Sequence, residues 1–207
     1  RVLITLPARF LSPGRTEPRF GRQSTSRTNA FRASVRSERM ASILVLYGTS
    51  EGQTAKVAER LAATLTDRGH ETTVVDAGDR GVEVDPAAFD AVLVGTSIHV
   101  GTQQEPIVEF ARANRETLAA LPTGLFQISL SSATDDPEQR GEAAGYVENF
   151  VEETGWQPDR VGLFGGALRY SEYGFLKRLL MKRIAKDATG DTDTERDYEY
   201  TDWAEVT

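Results

Sequence analysis

Five short apolar runs, separated by stretches of helical spacing, constrain this chain more than any other feature. Residues 42–48 (SILVLYG), 71–76 (ETTVVD), 91–96 (AVLVGT), 124–131 (GLFQISLS) and 160–168 (RVGLFGGAL) have the length and apolar character of strands. Between the first two, Val57, Ala58, Leu61, Ala62 and Leu65 fall on one helical face over residues 53–68, and Gly69 is the stop. Further helices are expected over residues 105–120 and 137–154. Strand–helix alternation of this kind predicts an α/β fold. The expected form is a doubly wound, five-stranded parallel sheet of order 2-1-3-4-5 with helices on both faces.

Both ends depart from that pattern. Residues 1–39 are rich in Arg, Ser, Thr, Pro and Gly and show no apolar period, so disorder is expected there. They read either as a transit-type leader or as upstream sequence that is not native. Met40 opens the patterned domain, residues 40–207. Residues 171–200 form an insertion after the fifth strand, longer than a crossover needs. Thr201-Asp202-Trp203 has the look of a helix start, with Thr201 or Asp202 as N-cap. Only one turn follows, so a last sheet-covering helix is expected to be cut short.

Composition removes several kinds of chemistry. There is no cysteine, which excludes disulfides, thiolate–zinc sites and thiol catalysis, and two histidines are too few for a His-rich metal site. No stretch approaches the roughly 18 apolar residues needed to cross a bilayer. The expected location is the cytoplasm, at most with peripheral contact at the inner face of the membrane. Residues 1–39 carry nine Arg against Glu17 and Glu38; since the whole chain is −7, the domain carries −14. Four lysines in so acidic a domain suggest a salt-loving host, or simply an acidic cytosolic protein. Nucleic acid is not the expected partner.

The strongest chemical signal follows the first strand. Thr49-Ser50-Glu51-Gly52-Gln53-Thr54 supplies three hydroxyls, a glycine for close approach, and N–H groups at a helix N-terminus. Such a loop holds a phosphate dianion without a lysine or arginine. It lacks the Gly-Lys-Ser/Thr of a Walker loop and the G-x-G-x-x-G of a dinucleotide site. A phosphate ligand here sits at the switch point between strands one and three. A merely capped helix start is the alternative.

T-S-E-G-Q-T after an apolar strand resembles the FMN phosphate loop of flavodoxins. Five further stretches narrow the resemblance: residues 95–101 (GTSIHVG), 156–160 (WQPDR), 165–170 (GGALRY), 190–194 (GDTDT) and 200–203 (YTDW). Together they look like the flavodoxin-like, menaquinone-dependent protoporphyrinogen IX dehydrogenases, over residues 41–206. The resemblance implies a flavodoxin-like fold and FMN. It also implies oxidation of protoporphyrinogen in haem biosynthesis, with electrons passed to a quinone. Carried over by position, Thr49, Ser50, Glu51, Gly52, Gln53 and Thr54 hold the phosphate. Thr96, Ser97, Ile98, His99, Val100 and Gly101, with Ser129, Leu130, Ser131 and Ser132, border the flavin ring. The family often has Arg and Tyr where this chain has His99 and Val100, so neither ring-facing loop brings an aromatic to shield the flavin.

His99 is the one imidazole near that ring and is the candidate for donating to it or relaying a proton, or else for ordinary contact. Asp135-Asp136 and Glu152-Glu153 read as helix-end charges on a solvated surface. Residues 175–186 (FLKRLLMKRIAK) pattern as a basic amphipathic helix. Lys177, Arg178, Lys182, Arg183 and Lys186 would meet an anionic bilayer, porphyrin carboxylates, or the domain's own acidic surface. The alternative functions are a flavodoxin-type electron carrier and an FMN quinone reductase with a different substrate. Oligomeric state is not legible.

Overall fold

The computed structural model describes residues 40–79, 83–172, 181–182, 186 and 193–206. The leader, residues 1–39, lies outside them, as do Lys177, Arg178 and Arg183.

β1 (Ser42–Tyr47) lies between β2 (Glu71–Asp76) and β3 (Ala91–Ser97); β4 (Thr123–Ser129) and β5 (Arg160–Gly165) follow outward, every pair parallel. This is the expected 2-1-3-4-5 order. The winding reverses between β1 and β3, so the loops leaving their carboxyl ends diverge and open a crevice. Every residue of β4 is buried, as an inner strand of a doubly covered sheet requires. β2 is an edge strand and is largely exposed.

Alternation along the strands sends side chains to two helical layers. On one face, α1 (Gln53–Asp67) packs Val57, Ala58 and Ala62 on Val45, Phe126 and Ile128. On the other lie α2 (Glu105–Ala113), α3 (Arg115–Ala120) and α4 (Pro137–Thr154). A Cβ on Gly48 would meet Ile107 of α2, and the buried Gln127 side chain donates to the Ala143 carbonyl of α4 at 2.9 Å. Asp136 caps α4 by accepting from the N–H groups of Glu138 and Gln139. Buried Trp156 stands edge-on to Phe150 just past its end. In the WQPDR stretch, Asp159 accepts the Thr123 N–H at 2.8 Å and ties the starts of β4 and β5 together.

Three expected boundaries shift. The single helix over residues 105–120 is broken at Asn114, whose side-chain amide donates back to the Phe110 carbonyl. The run at 124–131 stops as a strand at Ser129, because Ser131–Ala133 turn into a short 3-10 helix. The run at 160–168 divides: β6 (Ala167–Leu168) leaves the main sheet and pairs antiparallel with β7 (Tyr198–Glu199). The break has a steric basis, since a Cβ on Gly165 would lie 2.4 Å from the Tyr200 carbonyl oxygen. At the other end, Asp202 accepts the Ala204 N–H and caps one turn, and Val206 is buried in the α1-side core.

Candidate functional site

The loop from β1 into α1 is shaped by its own side chains. Gly52 takes φ 79°, a left-handed conformation that costs a glycine little, and caps α1. Thr49 Oγ1 accepts the Gly52 N–H at 2.9 Å, and Ser50 Oγ accepts from Gln104 Nε2 at 2.8 Å. Both hydroxyls act as acceptors toward the protein and keep their own O–H for a ligand. Thr54 is fully buried, lines the cleft, and its Oγ1 has no protein partner. Leaving a buried hydroxyl unpaired costs about 1–3 kcal/mol, a cost that an anion seated on the loop would remove. Three hydroxyls and a helix N-terminus thus fit a phosphate, and no lysine or arginine lines this compartment among the described residues. Glu51 and Gln53 also line it; Gly52 shapes the turn without doing so.

The second expected loop rises opposite. Thr96 is fully buried beneath the site, where its hydroxyl oxygen lies 3.3 Å from the Gln104 N–H that it accepts. Ser97, Ile98 and His99 face the phosphate compartment. Ile98, His99, Val100 and Gly101 also line an adjoining cavity of about 380 Å³. His99 and Thr102 exchange backbone N–H···O bonds of 2.9 and 3.2 Å across Val100 and Gly101, whose φ angles are 50° and 82°. Both positive, these angles match a type I′ hairpin turn. A β-branched residue is strained in that conformation, yet Val100 holds it with its side chain largely exposed.

Ser129, Leu130 and Ser131 border the same cavity. Ser132 does not: its hydroxyl pairs with Ser129 Oγ at 2.7 Å, and the residue lines a separate hollow with Asp135, Arg140 and Phe164. The remaining wall was not foreseen. Gln139, Glu142 and Tyr146 of α4 complete the cavity, so an aromatic does reach it, from a helix rather than from a ring-facing loop. Their i, i+3, i+7 spacing was a legible sign of one shared helical face. Tyr146 donates to Glu142 at 2.8 Å, and burial first, then this bond, pushes its pKa up to about 12. Gly166 and Ala167 close the phosphate side.

The insertion also contributes. Met181 is buried on Leu168 and Tyr170 and lines both compartments; Lys182 and Lys186 are helical and exposed. The GGALRY and YTDW motifs build the platform beneath it. Gly166 N–H donates to the Ser129 carbonyl, Tyr200 N–H to the Gly166 carbonyl, and Tyr198 stacks on Tyr200 at 5.9 Å. Among the described residues no His, Cys, Asp or Glu group is suited to a metal, and no helix is long and apolar enough to cross a membrane.

Comparison with known proteins agrees with this architecture. A family described as the flavodoxin domain matches residues 44–195. The protoporphyrinogen IX dehydrogenase (quinone) of Escherichia coli K12 is 32% identical over 164 residues, 79% of this chain and 89% of its own. The protein of the same name from Leishmania major is 32% identical over 79% of this chain and 70% of its own. Among solved structures, oxidised Flavodoxin 1 from Bacillus cereus aligns with TM-score 0.44 at 13% identity, over 60% of this chain and 84% of its own. That score is too low to bear on the fold, which rests on strand order. The chain belongs to the flavodoxin-domain family, among the quinone-linked protoporphyrinogen IX dehydrogenases.

Proposed function

We propose that this protein is an FMN-dependent oxidoreductase that dehydrogenates protoporphyrinogen IX and passes the electrons to a membrane quinone, menaquinone, in haem biosynthesis. One observation carries most of the weight. The lysine-free loop with its buried, unpartnered Thr54 hydroxyl opens into a cavity bordered by residues 98–101 and 129–131. It does so in a chain 32% identical to named dehydrogenases over 164 residues.

Thr49, Ser50 and Thr54, with the first N–H groups of α1, would hold the FMN phosphate. FMN, when bound, supplies a two-electron acceptor, so no dedicated catalytic dyad is required of the protein. The protein's part is to position and to exclude water. Gln104 bridges Ser50 and Ser97 and so fixes the two sides of the cleft against each other. Half-buried His99 borders both compartments, where its imidazole can donate to the ring or relay a proton. Neither ring-facing loop carries an aromatic, and the one that lines the cavity, Tyr146, stands on α4, so the loop side is left open to a flat substrate.

Met181, which lines both compartments, lies within the basic stretch in sequence and is followed directly by Lys182. Lys182 and Lys186, with Lys177, Arg178 and Arg183 of the same stretch, would meet anionic headgroups and bring the site to the bilayer where a quinone resides. The acidic, lysine-poor surface suits a salt-rich cytoplasm.

The test is protoporphyrin formation by the full chain reconstituted with FMN, assayed without oxygen, with and without menaquinone. Quinone-dependent formation is the expected result; none in either condition rejects the substrate. Replacing the five basic residues with Gln should reduce liposome binding and quinone turnover together.

A further inference from the structure

Resting on that functional reading, we propose that the α4 wall of the ring-side cavity is the porphyrinogen subsite. There Glu142 and Gln139 receive pyrrole N–H groups and discriminate the reducing substrate from the quinone.

The wall is built from acceptors. Ser131 Oγ donates to Glu142 Oε2 and Tyr146 OH to Oε1, so the carboxylate is held at each oxygen by one protein donor. A carboxylate offers about four lone-pair sites, which leaves about two for a ligand. Tyr146, its pKa pushed up to about 12, stays a neutral donor and keeps that grip at any physiological pH. Beside it, Gln139 Oε1 is buried without a partner and lines the same cavity. A buried acceptor left empty costs free energy, and a ligand donor removes that cost.

The two redox partners differ in the groups they show such a wall. A porphyrinogen carries four pyrrole N–H donors on a broad apolar macrocycle. A quinone carries carbonyl acceptors and no N–H, so it would set oxygen lone pairs against a carboxylate. Sites that hydrogen-bond a substrate group reject analogues lacking it far more strongly than apolar pockets do. Ile98, Val100 and Leu130, which border the flavin ring, and Met181 make the rest of the cavity apolar, so that a macrocycle would lie between them and the α4 wall against the flavin. The same charge sets the orientation. Propionates are repelled by Glu142 and turn toward the insertion, where exposed Lys182 and Lys186 follow Met181 in the chain.

The experiment uses the FMN-loaded full chain with its flavin reduced beforehand, so that no hydride can be accepted. Anaerobic calorimetry with protoporphyrinogen IX then measures binding without turnover, in wild type, Glu142→Gln and Gln139→Leu. In parallel, menadione reoxidation of the reduced flavin reports the quinone half-reaction. The expected result is about a ten-fold or greater rise in Kd for Glu142→Gln and a smaller rise for Gln139→Leu. Menadione reoxidation should be unchanged or faster. Unchanged Kd in both variants overturns the proposal, and so does an equal loss in both assays, which marks a structural role. A wild type that binds no protoporphyrinogen, yet is reoxidised by menadione, instead rejects the functional reading beneath it.

Discussion

Gln53, the first residue of α1, donates through Nε2 to Thr201 Oγ1 at 2.7 Å, and Thr201 Oγ1 donates onward to the Gly165 carbonyl at 2.6 Å. This buried chain joins the phosphate loop to the end of β5 and to the segment that follows β7. Thr201 of the YTDW motif thereby supports the start of α1, far from it in sequence.

Thr201→Val is expected to destabilise the protein by about 1–3 kcal/mol, because it strands the buried Gln53 amide. Urea denaturation of the FMN-free protein measures the loss. FMN affinity should fall as well, since Gln53 begins the helix at whose N-terminus the phosphate is proposed to sit.

Thr54→Val separates ligand binding from folding. The Thr54 hydroxyl has no protein partner, so the variant should fold with unchanged or slightly higher stability. Its FMN Kd, followed by quenching of flavin fluorescence, should rise about ten-fold for one lost charge-assisted bond. A marked loss of stability with unchanged Kd would place that hydroxyl outside the ligand site.

Val100→Asn removes a β-branched residue from a left-handed conformation that asparagine tolerates. A gain of about 1 kcal/mol in denaturation is expected.

Acid should loosen the segment that follows β7 from α1. Lys56 reaches Glu199 at 2.7 Å and Trp203 Nε1 donates to the same carboxylate at 2.8 Å. Chiefly through its bond to Lys56, the Glu199 pKa lies below the ordinary carboxylate value. A lowered folded-state pKa gives stability that is present above the unfolded value of about 4.3 and lost as pH falls through the folded one. Glu199→Gln should flatten that acid limb in a series of urea midpoints. The effect should be small and should shrink in salt, because the pair is accessible to solvent.

Sheet order and the hydroxyl-lined turn into α1 were legible in the sequence because each is local. Apolar runs such as residues 42–48 declare buried strands, and a hydroxyl-rich turn before a helix declares an anion site. The breaks were less visible. Asn114 ends α2 through a bond to its own preceding turn, and Gly165 ends β5 because Tyr200, 35 residues on, presses against it. The α4 wall was missed for a different reason. Gln139, Glu142 and Tyr146 belong to no motif, and they form a wall only because the loops after β3 and β4 fold opposite them. Ser132 lines a separate hollow because its side chain turns back to Ser129, a local choice that strand periodicity does not foretell.

The most direct test of the account is an anaerobic titration of the FMN-loaded full chain with protoporphyrinogen IX, read at the oxidised-flavin absorption band. Stoichiometric bleaching of that band, reversed by added menaquinone, is the predicted result. A protein that takes up no FMN, or whose bound flavin stays oxidised with protoporphyrinogen present, contradicts it.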